Sequence, residues 1–389
     1  MILKDKTDQL IAAYLKNTIG FSPALTYNCK YFSVGEEMVA YLLNELDKAE
    51  KYIFLEYFQI EKGVVWNSVY DILKRKVAKG VDVRLLYDGV GCLFPPLPLG
   101  FRKNLEKAGI KVRIFRAARI NIRNHRKIAS IDGKIAFCGG LNLADQYANV
   151  KEMFGHFKDG GVMVDSTTAW NMTLMFLSMW EFITKEKVNY DELIPEFAGH
   201  NSPGVPFYQN TLSIPMLDIP KGRVSEHTFI NFIARAEEYV YIMTPYLMCG
   251  SGILSVMSAA ARSGVDIRII TPYIADKKLV KAVTESYYKQ LLENKVRVFE
   301  YVPGFVHAKN LIADGKRAMV GTINLDYRSL YLHHECGICF LNGAVVDDID
   351  RDFRETFAKC KEIRLDDLNK VSLFKRAIQR ICRLFAPFL

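Results

Sequence analysis

Residues 124–142 read NHRKIASIDGKIAFCGGLN, and residues 306–324 repeat the pattern as VHAKNLIADGKRAMVGTIN. Both stretches contain His-x-Lys, then an aspartate after four further residues, then Gly-[Gly/Thr]-x-Asn after six more. A pattern that recurs within one chain indicates an internal duplication, which is best recognised before single elements are assigned. The sequence therefore predicts two halves of similar fold, each with one copy of the motif.

Three other pairs of matching segments precede the two motif copies in the same order. They are KYIFLEYFQIE (51–61) with EYVYIMTPYL (238–247), KGVDVRLLYDG (79–89) with SGVDIRIITPY (263–273), and GIKVRIF (109–115) with NKVRVF (294–299). The constant order excludes chance similarity, so the duplication extends over most of the chain.

The matching segments have the patterns of alternating strands and helices. Residues 52–58, 81–87 and 111–115 are rich in β-branched and aromatic residues, which predicts strands. Residues 64–79 and 101–108 have apolar residues at helical spacing, and Gly80 is a typical helix stop. This alternation predicts an α/β fold with mixed, largely parallel sheets flanked by helices, and the pattern returns over 239–299.

The chain is long enough for two domains, which we place at 1–200 and 201–389 with a Pro-, Gly-, Asn- and Ser-rich link at 196–223. Hydrophobic residues make up 50% and charged residues 24%, which is ordinary for a globular protein and excludes a disordered or fibrous chain. The formal charge of +9 favours anionic partners, which include nucleic acid, acidic lipids and phosphorylated small molecules.

Neither the cysteines nor the apolar segments change the prediction of a two-domain globular protein. The eight cysteines are scattered, and Cys336 and Cys339 lack a second CxxC, so we expect free thiols in a reducing compartment and no metal. The N-terminus has neither a secretory signal nor an anchor pattern. The uncharged run 239–261 contains Thr-Pro and Gly-Ser-Gly, which predicts a strand, a turn and an amphipathic helix instead of a membrane span.

The repeated motif combines groups suited to phosphate chemistry. Residues two apart on a strand share a face, so His125 lies beside Lys127 and His307 beside Lys309. An imidazole can attack or protonate, and an ammonium can hold a phosphate oxygen. The glycines allow a close approach of neighbouring backbone, and Asn142 and Asn324 donate into the same site. Asp132 and Asp314 precede glycine in a hairpin pattern, which leaves both a structural and a catalytic role open for them.

The duplicated motif resembles that of the phospholipase D superfamily, in which two such halves form one active site. The resemblance spans about residues 31–388. The segments that are most similar to bacterial cardiolipin synthases are NHRKI (124–128), GGLNLAD (139–145), Lys158-Asp159, TPYL (244–247), GTINLDYRSLYLHHE (321–335) and RLFAPFL (383–389). The resemblance implies two phospholipase D-like lobes and transfer of a phosphatidyl group between two phosphatidylglycerol molecules. It implies no cofactor and no metal ion.

By the same resemblance, His125 is the nucleophile that forms a phosphohistidine, and His307 is the acid and base. Lys127, Lys309, Asn142 and Asn324 would surround the phosphate. Asp159 and Glu335 stand where the family has a carboxylate, and each would hold the second nitrogen of a histidine. The alternative is that both are ordinary surface acids.

Neighbouring side chains on a strand point to opposite faces, so at most one of His333 and His334 can reach the site. Three residues depart from the family pattern: Phe157 replaces Trp, Gly160 replaces Thr, and His334 replaces an apolar aromatic residue. Many cardiolipin synthases begin with two membrane-spanning helices, whereas Met1 here leads almost directly to the catalytic region.

Two segments could bind a membrane surface. Residues 370–389 have five basic residues, no acidic residue and apolar residues at helical spacing, which fits an interfacial helix or a helix docked on the domain. The loop 92–101 (CLFPPLPLGF) has many apolar side chains, which favours a bilayer contact over burial. We therefore expect peripheral attachment to the cytoplasmic side of the bacterial membrane.

A run of basic residues before the first motif provides either a solvated face or a positive approach to the site: Lys111, Arg113, Arg116, Arg119, Arg123 and Arg126. Four alternatives to the synthase can be compared with the sequence. A nucleic-acid phosphodiesterase fits the charge, although aromatic residues are not interleaved with the basic ones, so no nucleic acid is expected. A hydrolase or a transferase with another acceptor has the same motifs. A non-catalytic lipid-binding module conflicts with the presence of both His-Lys pairs. The sequence leaves the oligomeric state open.

Overall fold

A computed structural model describes residues 3–117, 121–196, 211–220 and 222–369 of the 389-residue chain, together with 372, 378, 379, 381–383 and 386. Its helices are α1 (Lys6–Ile19), α2 (Gly35–Lys48), α3 (Val64–Ala78), α4 (Phe101–Lys107), α5 (Ser166–Thr184), α6 (Val224–Ala234), α7 (Ser251–Arg262), α8 (Lys278–Glu293), α9 (Tyr327–Tyr331), α10 (Ala344–Phe357) and α11 (Leu365–Asn369). A short 3-10 helix spans Asp145–Ala148.

The strands of the first half are β1 (Ala24–Thr26), β2 (Lys30–Phe32), β3 (Tyr52–Tyr57), β4 (Asp82–Asp88), β5 (Lys111–Phe115), β6 (Ile128–Ile131), β7 (Ile135–Gly139), β8 (His156–Lys158) and β9 (Gly161–Asp165). Those of the second half are β10 (Thr211–Asp218), β11 (Tyr239–Met243), β12 (Leu247–Met248), β13 (Asp266–Pro272), β14 (Arg297–Tyr301), β15 (Gly304–Val306), β16 (Asn310–Ala313), β17 (Arg317–Gly321), β18 (Leu325–Asp326), β19 (Glu335–Phe340) and β20 (Cys360–Ile363).

The two large sheets share one topology. The first has the order β2-β9-β7-β6-β3-β4-β5, and the second contains β10-β19-β17-β16-β11-β13-β14 in the equivalent places, with β1 and β20 added at its edges. In both, three strands pair in parallel and the motif strands pair antiparallel. This confirms the predicted α/β fold with two related halves.

Within each large sheet, parallel pairing is limited to those three strands because a hairpin follows each His-Lys motif. Asp132 and Gly133 have φ angles of 53° and 64°, and Asp314 and Gly315 have 55° and 60°. These left-handed values match the Asp-Gly turns that the sequence predicts. Each hairpin returns the chain antiparallel to the motif strand, which makes the sheets mixed.

The segment 196–223, which the sequence predicts to be a link, contains strand β10, so the prediction of a link is wrong for this part of the chain. Strand β10 pairs antiparallel with β19 over Ser213–Asp218, and with β1 over its first three residues. Pro215 lies beyond β1, where that side of the strand has no partner strand among the described residues and a backbone N–H donor is not needed. The prolines and polar residues therefore concealed a strand. Residues 197–210 and 221 lie outside the described part of the chain.

The N-terminal segment packs with the second sheet, although it precedes the first half in sequence. Ile11 and Leu15 of α1 are buried in the core of the second half, and β1 extends the second sheet through β10. Residues 6–26 thus pack against the second half of the chain. The division of the chain near residue 200 stays a prediction.

No helix within the described ranges is both long and apolar enough to cross a membrane. The run 239–261 forms β11, β12 and α7, as its interrupted pattern predicts. Most of the predicted interfacial helix at 370–389 lies outside the described residues. Of those described, Gln379 binds Glu285 at 2.8 Å and Arg383 binds Gln290 at 2.6 Å, so both contact α8.

Candidate active site

The two halves meet where their motifs lie. Strand β8 of the first half pairs in parallel with β15 of the second. The backbone N–H of His125 donates to the carbonyl of His334 at 3.0 Å, and that of His307 donates to the carbonyl of Lys158 at 2.8 Å. Each motif histidine is therefore anchored by the backbone of the opposite half.

The two predicted carboxylates pair with the histidines across the interface. His125 Nδ1 donates to Glu335 Oε1 at 2.9 Å, and His307 Nδ1 donates to Asp159 Oδ2 at 2.5 Å. Both carboxylates are completely buried, so they are not surface acids. Each half thus provides one histidine and the acid that orients the histidine of the other half.

The environments of the two carboxylates differ. Glu335 also accepts hydrogen bonds from the hydroxyls of Thr322 and Ser329. Gly140 occupies the place equivalent to Thr322, and a Cβ there would lie 2.1 Å from Asp159 Oδ1. Glycine is therefore required at 140 to admit Asp159, whereas threonine at 322 binds the carboxylate directly.

The motif lysines lie behind the histidines. Lys127 Nζ donates to the carbonyl oxygen of His125 at 2.6 Å, and Lys309 makes the equivalent bond to His307. Burial lowers the pKa of Lys127 to about 8 and that of Lys309 to about 7. The lysines place positive charge close to both histidine–carboxylate pairs.

One cavity of about 480 Å³ is lined by predicted site residues of both halves, although Lys127, Lys309, Asp159 and Glu335 are not among its lining residues. Its wall includes both histidines and both predicted asparagines. Other residues that line it include Phe58, Gln59, Val90, Gly91, Phe94, Pro95, Arg123, Tyr147, Phe157, Tyr246, Phe305, Arg328 and His333, and the acidic residues Glu61, Asp276 and Asp326. Because the Nδ1 atoms are bound to carboxylates, Nε2 of each histidine is the nitrogen left for a substrate.

The motif aspartates do not reach this cavity. Both carboxylate oxygens of Asp132 accept backbone N–H groups at the start of β3, each at 2.8 Å, and Asp314 makes the equivalent bonds at the start of β11. Of the two roles that the sequence leaves open for these aspartates, the hydrogen bonds favour the structural one. They fix the hairpin against the neighbouring strand.

We expect Asp132→Ala to lower the free energy of unfolding by about 3 kcal/mol, because several charge-assisted hydrogen bonds are lost. The turnover number of the folded protein should stay within about threefold of the unchanged chain. Denaturant unfolding and initial-rate assays on the same samples test this, with the exposed Asp71→Ala as control. A lost turnover number with unchanged stability would restore the catalytic role.

Burial also determines the protonation state of the two histidines. It lowers the pKa of His125 to about 3 and that of His307 to about 4. Burial alone would raise the pKa of Glu335, but contact with His125 holds this pKa well below its usual range. Both imidazoles are therefore neutral at pH 7, and each has a free lone pair on Nε2.

These values predict a loss of stability in mild acid. The unfolded histidines take up protons near pH 6.5 and the folded ones do not, so stability falls as the pH decreases from 6.5 towards 4. At pH 5 the loss is about 2 kcal/mol for each histidine. Denaturant unfolding at pH 7 and pH 5 measures it, and His307→Asn should remove one such contribution whereas His227→Asn serves as the control. An equal pH dependence in His307→Asn and the unchanged chain would contradict the assignment.

His333 reaches the site and His334 does not, as strand alternation predicts. His333 Nδ1 lies 3.5 Å from Glu335 Oε1, and neither of its ring nitrogens makes a hydrogen bond. The ring of His334 instead packs against Phe115. His125, His333 and Glu335 could together hold a metal ion, since their ligand atoms lie within 4.8 Å of one another.

Sequence analysis missed the aromatic residues that pack on the histidines. Phe58 contacts the ring of His125 at a centroid distance of 5.0 Å. Tyr147 and Phe157 contact that of His307 at 5.2 Å and 5.4 Å. Phe157, one of the three departures from the family pattern, therefore preserves an aromatic contact. Gly160 is explained as well, because a Cβ there would lie 2.0 Å from the carbonyl oxygen of Phe32.

Only part of the predicted basic run approaches the cavity. Arg126 is buried and pairs with Glu56 at 3.1 Å, and Lys111 pairs with Asp82 at 2.8 Å. The guanidinium of Arg113 lies over the ring of Trp180. Arg123 lines the cavity, and Arg119 lies outside the described residues.

Comparison with known proteins agrees with this geometry. The family model described as "Cardiolipin synthase, PLD-like domain" matches residues 42–165 and 229–357. A cardiolipin synthase of Geobacillus sp. (strain WCH70) is 33% identical over 96% of this chain and 75% of the relative. An uncharacterised protein of Streptococcus mutans is 40% identical over 97% of this chain and 82% of its own.

Among solved structures, the phosphatidylserine synthase of Haemophilus influenzae Rd KW20 aligns with a TM-score of 0.74 over 99% of this chain and 98% of its own. At 14% identity, that likeness concerns the fold alone. The first matched segment contains His125, and the second contains His307. The chain therefore belongs to the cardiolipin synthase family of the phospholipase D superfamily.

Proposed function

We propose that the chain is a phosphatidyltransferase that makes cardiolipin and glycerol from two molecules of phosphatidylglycerol. The observation that carries this proposal is the pair of histidines, each with a buried carboxylate of the other half, in one cavity. Two such imidazoles suit a double displacement at phosphorus, in which the first bond to the enzyme is later broken by an alcohol.

In the first step, Nε2 of His125 attacks the phosphorus and forms a P–N bond. The bond from phosphorus to the headgroup glycerol breaks, and the leaving oxygen takes a proton from His307. In the second step, neutral His307 accepts the proton of the incoming hydroxyl, whose oxygen attacks phosphorus and releases His125. Lys127 and Lys309 stabilise the charge on the non-bridging oxygens.

The different carboxylate environments support this division of roles. Glu335 shares its charge among His125, Thr322 and Ser329. Asp159 binds His307 through the shorter contact of 2.5 Å and has fewer competing side-chain donors. Asp159 can therefore better stabilise a protonated imidazole, once the anionic phosphate of a substrate raises the pKa of His307.

Incubation with mixed micelles of phosphatidylglycerol in the presence of a chelator, followed by mass spectrometry of the lipids, tests the proposal. Cardiolipin and free glycerol are expected. Phosphatidic acid alone would make the protein a hydrolase. No reaction with phosphatidylglycerol, together with cleavage of another phospholipid or of nucleic acid, would replace the proposed substrate.

We also propose that the loop at 92–101 attaches the protein to the cytoplasmic surface of the membrane. Leu99 is fully exposed and Phe94 is 85% exposed, and the loop borders the cavity through Phe94 and Pro95. The transfer of exposed apolar side chains from water into a bilayer lowers the free energy, so such side chains at the entrance of a lipid site favour membrane binding.

The double substitution Phe94→Ser/Leu99→Ser is expected to weaken binding to phosphatidylglycerol vesicles by roughly tenfold or more, because two large apolar side chains are removed from the contact. Vesicle sedimentation measures the effect. Phe182→Ser, which removes another exposed aromatic residue of the first half, is the matched control. Equal loss of binding in both variants would show a general effect of surface hydrophobicity.

A further inference from the structure

A second cavity of about 560 Å³ lies next to the catalytic one. It is formed by the loop at 92–101, by the ends of β4 and β5, and by Arg116, Ala117, Ile122 and Arg123 before the first motif. Val90 and Arg123 line both cavities, which therefore adjoin at these two residues, here called the partition.

The residues next to the partition pack closely against the catalytic site. A Cβ at Gly91 would lie 2.2 Å from the carbonyl oxygen of Phe58, whose ring packs on His125. The carboxylate of Asp88 accepts the backbone N–H groups of Val90 and Gly91, each at 2.8 Å, and that of Asn124 at 2.9 Å. Asp88 thus shapes the partition with its negative charge bound to backbone amides.

The second cavity combines apolar walls with positive charge. Its apolar lining includes Leu93, Pro96, Leu97, Ile114, Phe115 and Ile122. Arg116 is exposed, and Arg123 is half-buried at the partition. This combination matches a molecule with an acyl chain and a phosphate, since apolar burial and charge pairing can act on it together. It does not match a soluble nucleotide, which has no apolar chain.

We propose that the second cavity binds the acceptor phospholipid, with an acyl chain on the apolar walls and the phosphate at Arg116 and Arg123. The inference rests on the proposed function. The phosphorus of the donor must lie between His125 and His307, whereas the acceptor needs only its terminal hydroxyl there. Its own phosphate then lies one glycerol unit away, which places it across the partition.

Two reactions separate the acceptor site from the donor site. Exchange of the phosphatidylglycerol headgroup with deuterated free glycerol requires the donor site and both histidines, but no second lipid. Cardiolipin formation requires the acceptor as well. Both products can be measured by mass spectrometry in the same mixed micelles.

Ala117→Trp, which fills the second cavity, and Arg116→Glu, which reverses its charge, are expected to reduce cardiolipin formation roughly tenfold while glycerol exchange stays within about twofold. Arg116→Lys should keep most of the activity. Arg102→Glu, which makes the same charge change on α4 outside the cavity, is the control. Thermal unfolding of each variant verifies that it is folded.

Unchanged cardiolipin formation in folded Ala117→Trp would overturn the inference, as would an equal loss of both reactions in the two variants. Glycerol exchange without cardiolipin in the unchanged chain would overturn the acceptor site while preserving the transferase chemistry. Absence of both reactions in the unchanged chain would instead overturn the proposed function, and the acceptor site with it.

Discussion

Replacing His125 with alanine is expected to reduce cardiolipin formation by at least roughly 10⁴-fold, because the substitution removes the nucleophile. The Nε2 atom of His125 is the one nitrogen of this side chain that Glu335 leaves free for phosphorus. Alanine cannot form the covalent intermediate, and water would have to attack without a base on that side of the cavity. The initial rate of cardiolipin formation measures the effect.

His156→Ala is the matched control, because that histidine is half-buried on β8, binds Tyr301 and does not line the cavity. Rapid acid-free quenching of the unchanged chain with phosphatidylglycerol, followed by peptide mass spectrometry, locates the covalent adduct. An adduct on His125 is expected. An adduct on His307 would exchange the two roles, and substantial activity of folded His125→Ala would refute a mechanism that requires both histidines.

Local sequence patterns were sufficient for the elements that carry the motifs. Strand β5 has the predicted bounds, and β3 and α3 each end one residue earlier than predicted. These segments combine a strong hydrophobic period with a clear stop such as Gly80, so local and tertiary preferences agree. Strand β10 was missed because Pro215 argues against a strand unless the missing neighbour at that position is known.

The residues of the site could be predicted from the sequence, but not which of them form hydrogen bonds with each other. Asp159 and Glu335 were recognised from their places after each motif, yet no local pattern indicates that each binds the histidine of the opposite half. That pairing depends on how β8 and β15 meet, which is a contact between distant segments. The structural role of Asp132 likewise depends on backbone N–H groups about eighty residues away in the chain.

The crossed pairing makes Glu335→Gln the second substitution with a large expected effect. We expect a loss of roughly 10³-fold in cardiolipin formation, because an amide no longer holds His125 in the tautomer with a free Nε2 lone pair. Asp159→Asn should cause a similar loss through His307. Glu56→Gln, which alters a buried glutamate outside the cavity, controls for the general effect on folding.

A phosphatidyl ester of p-nitrophenol distinguishes the two carboxylates. Its leaving group departs without a proton, so the first step needs the nucleophile but not the acid. In the first turnover, Asp159→Asn should therefore release p-nitrophenol within about tenfold of the unchanged chain, whereas Glu335→Gln should keep its defect of roughly 10³-fold. Glu335 belongs to the same half as His307 but contacts His125 of the other half. A defect of Glu335→Gln in the first step would therefore reflect its contact across the interface and not its position in the sequence. The opposite pattern would assign the nucleophile to His307, and equal rescue of both variants would show that neither carboxylate acts through one particular histidine.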